Sequence, residues 1–294
     1  MQIYRSLDEV VERGTIAPNS IINADCLEAM KFIPDKSIDC IICDLPYGVT
    51  ALKWDIVIPF DLLWEQYKRI IKPNGAIVLF GSQPFTSALV MSNPKWFKYE
   101  WIWDKTAAKG FLNSKNSPLK AHENILIFSG GTIGHEGKVV NRMKYHPQMS
   151  KGKPYKKLEN AKTKFTWGNT FRPSVDKSFL NINDGARYPR STLRFANPNN
   201  NSIHPTQKPV PLYEYLAKTY TLENEIIVDN TAGSGTLAIA CLNTNRRYIC
   251  IEKDPGYFEV MRDRIENHDP KALATPKKTR KPKAVPEGQL RLFG

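Results

Sequence analysis

The stretch Glu225–Asp254, EIIVDNTAGSGTLAIACLNTNRRYICIEKD, decides the fold. An apolar run ends in Asp229, a Gly-rich turn and a helix-compatible segment follow, and a second apolar run ends in Glu252. The pattern is strand, turn, helix, strand. Gly233 and Gly235 let a ligand approach the backbone, and the helix after them offers unpaired amides and a positive dipole end. Glu252 lies 23 residues beyond Asp229, at the end of the second strand, where an acid can accept both ribose hydroxyls of an adenosine-containing ligand. The turn is not G-x-G-x-x-G and lacks the lysine of a phosphate loop, which disfavours nucleoside triphosphates. Plain βαβ units also carry Gly turns and strand-ending acids, so each half alone has an ordinary structural explanation.

Upstream, residues 20–128 repeat the α/β alternation. SIINAD and SIDCIICDLPYG read as strands around a helix at CLEAMKFI. LLWEQYKRII is an amphipathic helix stopped by Pro73-Asn74-Gly75, and the buried strand AIVLFG follows. YEWIWDK and HENILIFSG add two more strands, and strands separated by helices argue for a parallel sheet. PVPLYEYLAKTYT and PGYFEVMRDRIEN read as the later helices. Cys40 and Cys43 form a C-x-x-C inside an apolar strand. Residues three apart on a strand point to opposite faces, so they read as core thiols rather than metal ligands. His122, His135, His146, His204 and His268 form no ligand pattern, and no metal is expected.

A second constellation, Asp44-Leu45-Pro46-Tyr47-Gly48, leaves the strand that ends in CIIC. Pro46 biases Leu45 toward an extended conformation, which lets the Leu45 carbonyl project beside the Asp44 carboxylate. Two acceptors next to the Tyr47 ring suit an amino group with two N–H donors on a flat ring. An ordinary strand-to-loop turn is the plain alternative.

Charge is unevenly placed. The chain has 294 residues and net charge +13; residues 1–130 balance 14 basic against 14 acidic groups, whereas residues 131–200 carry 14 against 4. The excess implies a local surface for a polyanion beside a neutral body. Residues 131–200 show no helical period but recurrent aromatics, which points to a small irregular subdomain. No run of about 18 apolar residues exists to span a bilayer, and MQIYRSLDEVVERG lacks a signal-peptide apolar region, so a soluble, cytoplasmic protein is expected.

DLPYG resembles the D-P-P-Y motif of amino-group DNA methyltransferases, DNTAGSGT resembles their cofactor motif, and HPTQKPVPLYEYL resembles the segment preceding it. The catalytic motif comes first and the cofactor motif last, the order of the permuted, or beta, class found in bacteria and phages. The resemblance covers roughly residues 19–130 and 200–268. It implies a Rossmann-like α/β fold with a mostly parallel sheet, S-adenosyl-L-methionine as cofactor, and methylation of a flipped base in duplex DNA. Asp44 and the Leu45 carbonyl would accept the amine hydrogens, Pro46 would shape the turn, and Tyr47 would stack on the base. Thr231, Gly233, Gly235 and Thr236 would line the methionine and ribose end, with Asp229 near it and Glu252 on the ribose. Asp25 would contact the cofactor's adenine or serve only as a helix N-cap, and Lys208 would belong to the cofactor side.

Three departures stand out: Leu45 for the first proline of the motif, and Asn230 and Thr231 for the common Pro-Phe. The lost aromatic implies looser cofactor packing. Asp44, where cytosine-N4 enzymes usually have Ser, favours adenine N6. Cytosine N4, an RNA amine and a catalytically inactive DNA-binding relic are the alternatives. Methylation at cytosine C5 is disfavoured, because none of the five cysteines follows a proline.

On this resemblance residues 1–130 form the catalytic half, 131–200 a target-recognition region, 201–268 the cofactor-binding half, and 269–294 a basic tail. Arg142, Lys144, Lys151, Lys153, Lys156, Lys157, Arg172, Arg187, Arg190 and Arg194 are the expected nucleic-acid contacts. A cognate restriction endonuclease is the companion expected of a restriction-modification enzyme. The terminal Gln289-Leu290-Arg291-Leu292-Phe293 resembles the short Q-L-x-L-F peptide that docks into the bacterial sliding clamp, with a packed closing strand as the plain alternative.

Overall fold

The computed structural model describes residues 1–49, 55–134, 141–159, 179–197 and 207–269. In chain order the elements are β1 (Gln2–Tyr4), α1 (Leu7–Arg13), β2 (Ser20–Asn23), α2 (Cys26–Met30), β3 (Ile38–Cys43), α3 (Phe60–Ile70), β4 (Ile71–Gly81), α4 (Phe85–Ser92), β5 (Phe97–Lys109) and β6 (Lys120–Phe128). Four short strands follow, β7 (Ser150–Lys151), β8 (Tyr155–Glu159), β9 (Phe179–Asn183) and β10 (Ala186–Arg187), then β11 (Thr192–Arg194). The chain continues with α5 (Val210–Tyr220), β12 (Ile226–Asp229), α6 (Thr236–Asn243), β13 (Arg247–Glu252) and α7 (Pro255–Glu266).

Nine strands form one sheet in the order β1-β2-β13-β12-β3-β4-β6-β5-β11. All neighbours are parallel except β6, which runs antiparallel between β4 and β5. The central strands read as unbroken apolar runs because helices cover both faces. Along β3 the side chains alternate: Cys40 and Ile42 join the cluster under α5, α6 and α7, while Ile41 and Cys43 join the one under α2, α3 and α4. Cys40 and Cys43 therefore sit on opposite faces, both fully buried, and burial pushes both thiols well up.

The site is positioned by a divergence between two adjacent strands. From β12 the chain crosses through α6 to β13 on one side; from β3 it crosses through α3 to β4 on the other. The loops leaving β12 and β3 thus separate at their C-terminal ends and open a crevice, the place where open α/β sheets bind ligands.

Two features escaped the sequence reading. Leu7–Arg13 is a helix, capped by the Ser6 hydroxyl on the Glu9 amide at 3.4 Å, and Phe85–Ser92 is another. The span 131–200 also needs correction, for parts of it belong to the main body. Met143 is buried in the core, and Leu193 of β11 is buried where that strand pairs with β5 at the sheet edge. A three-residue strand with one inward side chain leaves no period to detect. The rest of the described span forms two small ribbons, β7 with β10 and β8 with β9. No helix of the described residues is long and apolar enough to cross a membrane. Arg172 and the segment Gln289–Phe293 lie outside the described residues.

Candidate active site

The crevice is a cavity of about 1000 Å³. Asp44, Leu45, Pro46 and Tyr47 line one side; Asp229, Thr231, Gly233, Thr236 and Glu252 line the other, with Asp25 beside them. The two loops are tied directly, since the Thr231 hydroxyl donates to the Asp44 backbone carbonyl at 3.1 Å. The acceptors and the glycine turn share one chamber.

Asp44 is held by two donors. The Tyr47 hydroxyl donates to its Oδ1 at 2.8 Å, and the Lys208 ammonium donates to its Oδ2. Lys208 precedes α5 and lines the same cavity, where its ammonium reaches the Asp44 carboxylate. Its Nζ also lies 3.3 Å from Glu123 Oε2 of β6, and Glu123 pairs in turn with Lys105 of β5. Charges alternate along Asp44, Lys208, Glu123 and Lys105, as a buried polar chain requires. Burial pushes the Asp44 carboxyl up against the pull of Lys208. For Glu123 burial is outweighed by Lys208 and Lys105, which hold its carboxyl low; for Lys208 it is outweighed by Asp44 and Glu123, which keep its ammonium charged. Glu123 was not foreseen. Flanked by the polar His122 and Asn124, it gives no local signal in the sequence. The Tyr47 ring stacks on Phe85 with centroids 4.9 Å apart, and the Lys208 Nζ lies 5.9 Å from its centroid.

On the opposite wall, Glu252 Oε2 accepts the Gly233 amide at 2.7 Å and its Oε1 accepts the Asp254 amide at 2.8 Å. These bonds aim the carboxylate across the turn, while burial pushes it up. Gly235 holds φ +75°, and a Cβ there would stand 2.6 Å from Met261 Cγ, so only glycine lets α6 start where it does. Asp229 is 2% exposed; burial pushes it up to about 7, although its Oδ1 accepts the Thr231 amide at 3.1 Å. Among the described residues no cation pairs with it, so the wall suits a ligand that brings a positive charge. Asp25 caps α2 through the Leu27 amide at 3.0 Å and also pairs with Lys253 at 3.1 Å while facing the cavity.

Asn230, in place of the common proline, makes its own contacts. Its side-chain oxygen accepts from the Tyr67 hydroxyl at 2.6 Å and from the Cys43 thiol at 2.7 Å, and its backbone amide donates to Cys43 Sγ at 3.3 Å. These bonds fasten the loop to β3 and α3.

The expected basic contacts divide. Lys144 is turned into an ion cluster with Asp39 and Glu225, at the opposite end of the strands from the cavity. Arg187 fastens the ribbons: it donates to Asn183, Ala186 and Lys153 oxygens, and its guanidinium lies 5.0 Å over the Tyr155 ring. Arg194 is exposed, 3.7 Å from Asp104. Arg142, Lys151, Lys153, Lys156, Lys157 and Arg190 are exposed.

Residues 38–263 match the family model described as DNA methylase, of N6/N4 type. The chain belongs to the N6/N4 DNA methylase family. It is 27% identical over 266 residues to the type II methyltransferase M.HpaI of Haemophilus parainfluenzae, covering 84% of this chain and 74% of that protein. The M1.HpyAVI–SAM complex superposes with TM-score 0.53 at 23% identity over 83% of this chain and 98% of that one. The cytosine-N4-specific PvuII DNA methyltransferase gives 0.58 at 15% identity over 88% and 91%. These two structures establish the methyltransferase fold.

Proposed function

We propose that this N6/N4 DNA methylase transfers a methyl group from S-adenosylmethionine to the N6 amine of an adenine extruded from a specific duplex sequence. The single observation that carries the reading is the common chamber, in which Thr231 joins the Asp44 backbone to the glycine turn. When bound, the cofactor supplies an electrophilic methyl group on a sulfonium. Glu252 would hold its ribose, Asp229 its positively charged methionine end, and Thr231, Gly233, Gly235 and Thr236 the backbone cradle between them, with Asp25 at the adenine.

An exocyclic amine is a poor nucleophile because its lone pair is delocalised into the ring. Asp44 and the Leu45 carbonyl accept its two hydrogens, favour a pyramidal nitrogen and stabilise the charge that develops there. Pro46 fixes the turn that sets these acceptors. Tyr47 and Lys208 hold the Asp44 carboxylate in one orientation before substrate arrives, so little reorganisation remains for the reacting step. A carboxylate in place of Ser at this position supports adenine over cytosine N4.

Incubation with unmethylated PCR-amplified DNA and cofactor, followed by mass spectrometry of the nucleosides, should show N6-methyladenine. N4-methylcytosine would overturn the choice of base, and 5-methylcytosine the mechanism. Asp44→Ala should lower turnover on the order of 10²–10³-fold with cofactor affinity retained. Full turnover would refute the assignment.

A further inference from the structure

The hairpin joining β5 to β6 rises from the wall of the cavity. Its last described pair, Lys109 with Lys120, lies at the rim, and both residues line the chamber. Beyond that pair the chain closes through residues 110–119, and there two large apolar side chains face solvent: Phe111 is 69% exposed and Leu112 is 101% exposed.

An isolated exposed leucine needs no explanation, but this pair is held out by a built turn. Phe111–Asn113 is a single 3₁₀ turn entered through Gly110 at φ +96°. The Asn113 amide donates to the Gly110 carbonyl at 3.0 Å, Ser114 to Phe111 at 3.1 Å, and Asn116 and Ser117 to Asn113 at 2.9 and 3.0 Å. The tip satisfies its own backbone, so presenting the two side chains takes little further ordering. The charge of the tip itself is of one sign: residues 107–121 carry Lys109, Lys115 and Lys120 and no carboxylate. An apolar point flanked by cations at the mouth of the chamber fits a polyanion with an apolar interior.

We propose that the 110–119 tip is a wedge that enters the duplex beside the extruded base, with Leu112 and Phe111 filling the vacated stack and Lys109 and Lys115 on the flanking phosphates. A wedge of this kind offsets the cost of unstacking the flanking base pairs. Leu158, Leu180 and Ile182 on the exposed face of the β8–β9 ribbon do not line the cavity.

The proposal rests on the DNA-methylation reading, and its test separates the two. The modified sequence is read from PCR-amplified DNA methylated by wild-type enzyme. It is then placed in two short duplexes, one fully paired and one with an abasic site opposite the acceptor base. Single-turnover transfer of labelled methyl is scored, so the identity of the acceptor base does not enter. The double variant Phe111→Ser/Leu112→Ser should be on the order of ten- to a hundredfold slower on the paired duplex, with cofactor affinity and melting temperature unchanged. On the abasic duplex, where the acceptor is already unpaired, it should run near the wild-type rate. An equal deficit on both duplexes, or none on the paired one, overturns the wedge. Wild-type enzyme inert on every DNA would overturn the underlying reading instead.

Discussion

The floor of the cavity and its outer surface solve opposite problems. On the floor beneath the catalytic loop the buried charges of Asp44, Lys208, Glu123 and Lys105 alternate in sign, each paired with the next. On the outer surface Lys109, Lys115, Lys153 and Lys156 are exposed. The comparison teaches where each part of the work resides. Chemistry needs acceptors fixed before the substrate arrives, so the floor is buried and internally neutralised. Binding a polyanion needs charge available to phosphates, so the surface is left uncompensated.

The largest expected effect comes from breaking the floor. Lys208→Met leaves the Asp44 and Glu123 carboxylates buried with Lys105 as their remaining cation on this chain of charges. Removing one partner of a buried pair costs about 3–5 kcal/mol, and thermal unfolding should register it. Asp44 also loses the attraction that opposes its burial, so its carboxyl should hold its proton to higher pH. The variant's residual turnover should therefore climb with pH across a range where wild-type turnover is flat. Wild-type stability together with a parallel pH profile would show that the ammonium is dispensable to the floor.

Asp229 gives a smaller and pH-dependent effect. Its carboxyl titrates near 4 when unfolded and at about 7 when folded. With a raised folded value, the stability it contributes is full below about pH 4 and is lost as pH rises through about 7. Above pH 7 the protein without cofactor carries a buried carboxylate with no paired cation among the described residues. Asp229→Asn should then raise its stability by roughly 1–3 kcal/mol at pH 8 and by little at pH 4, while weakening cofactor binding. Melting curves at the two pH values, with calorimetric titration of cofactor, check both parts. Destabilisation at pH 8 would mean that the carboxylate is already neutralised.

Legibility in the sequence followed the range of the interactions. The central sheet could be read because IDCIIC, AIVLFG and RYICIE are local apolar runs, and the two loops because each motif is contiguous. The Asp25 cap was readable for the same reason. What joins Lys208 to Asp44 spans 164 residues, and Glu123 enters from an antiparallel strand, so no local pattern announces either. Lys144 was misjudged because its charge was counted with its neighbours, whereas the fold turns it toward Asp39 and Glu225. The hydrogen bond from Tyr67 to Asn230 likewise spans 163 residues and cannot be seen from the motif alone.

The smallest effect sharpens the boundary between the two regions. DNA affinity should fall linearly on a log–log plot against salt, with a slope of about −0.9 per phosphate neutralised. Replacing Lys153 and Lys156 by Ala should flatten that slope by up to about 2 and leave single-turnover transfer at saturating DNA unchanged, since neither lines the cavity. Lys144→Ala should do the reverse. It removes one of the cations on Asp39, which is 1% exposed, so stability should drop by about 1–3 kcal/mol with the salt slope intact. Filter binding across a salt series and a melting curve on each variant separate the two kinds of lysine. If Lys144→Ala flattened the slope as much as the double replacement, the far end of the sheet would also face phosphate, and the division between a neutralised body and a basic surface would have to be redrawn.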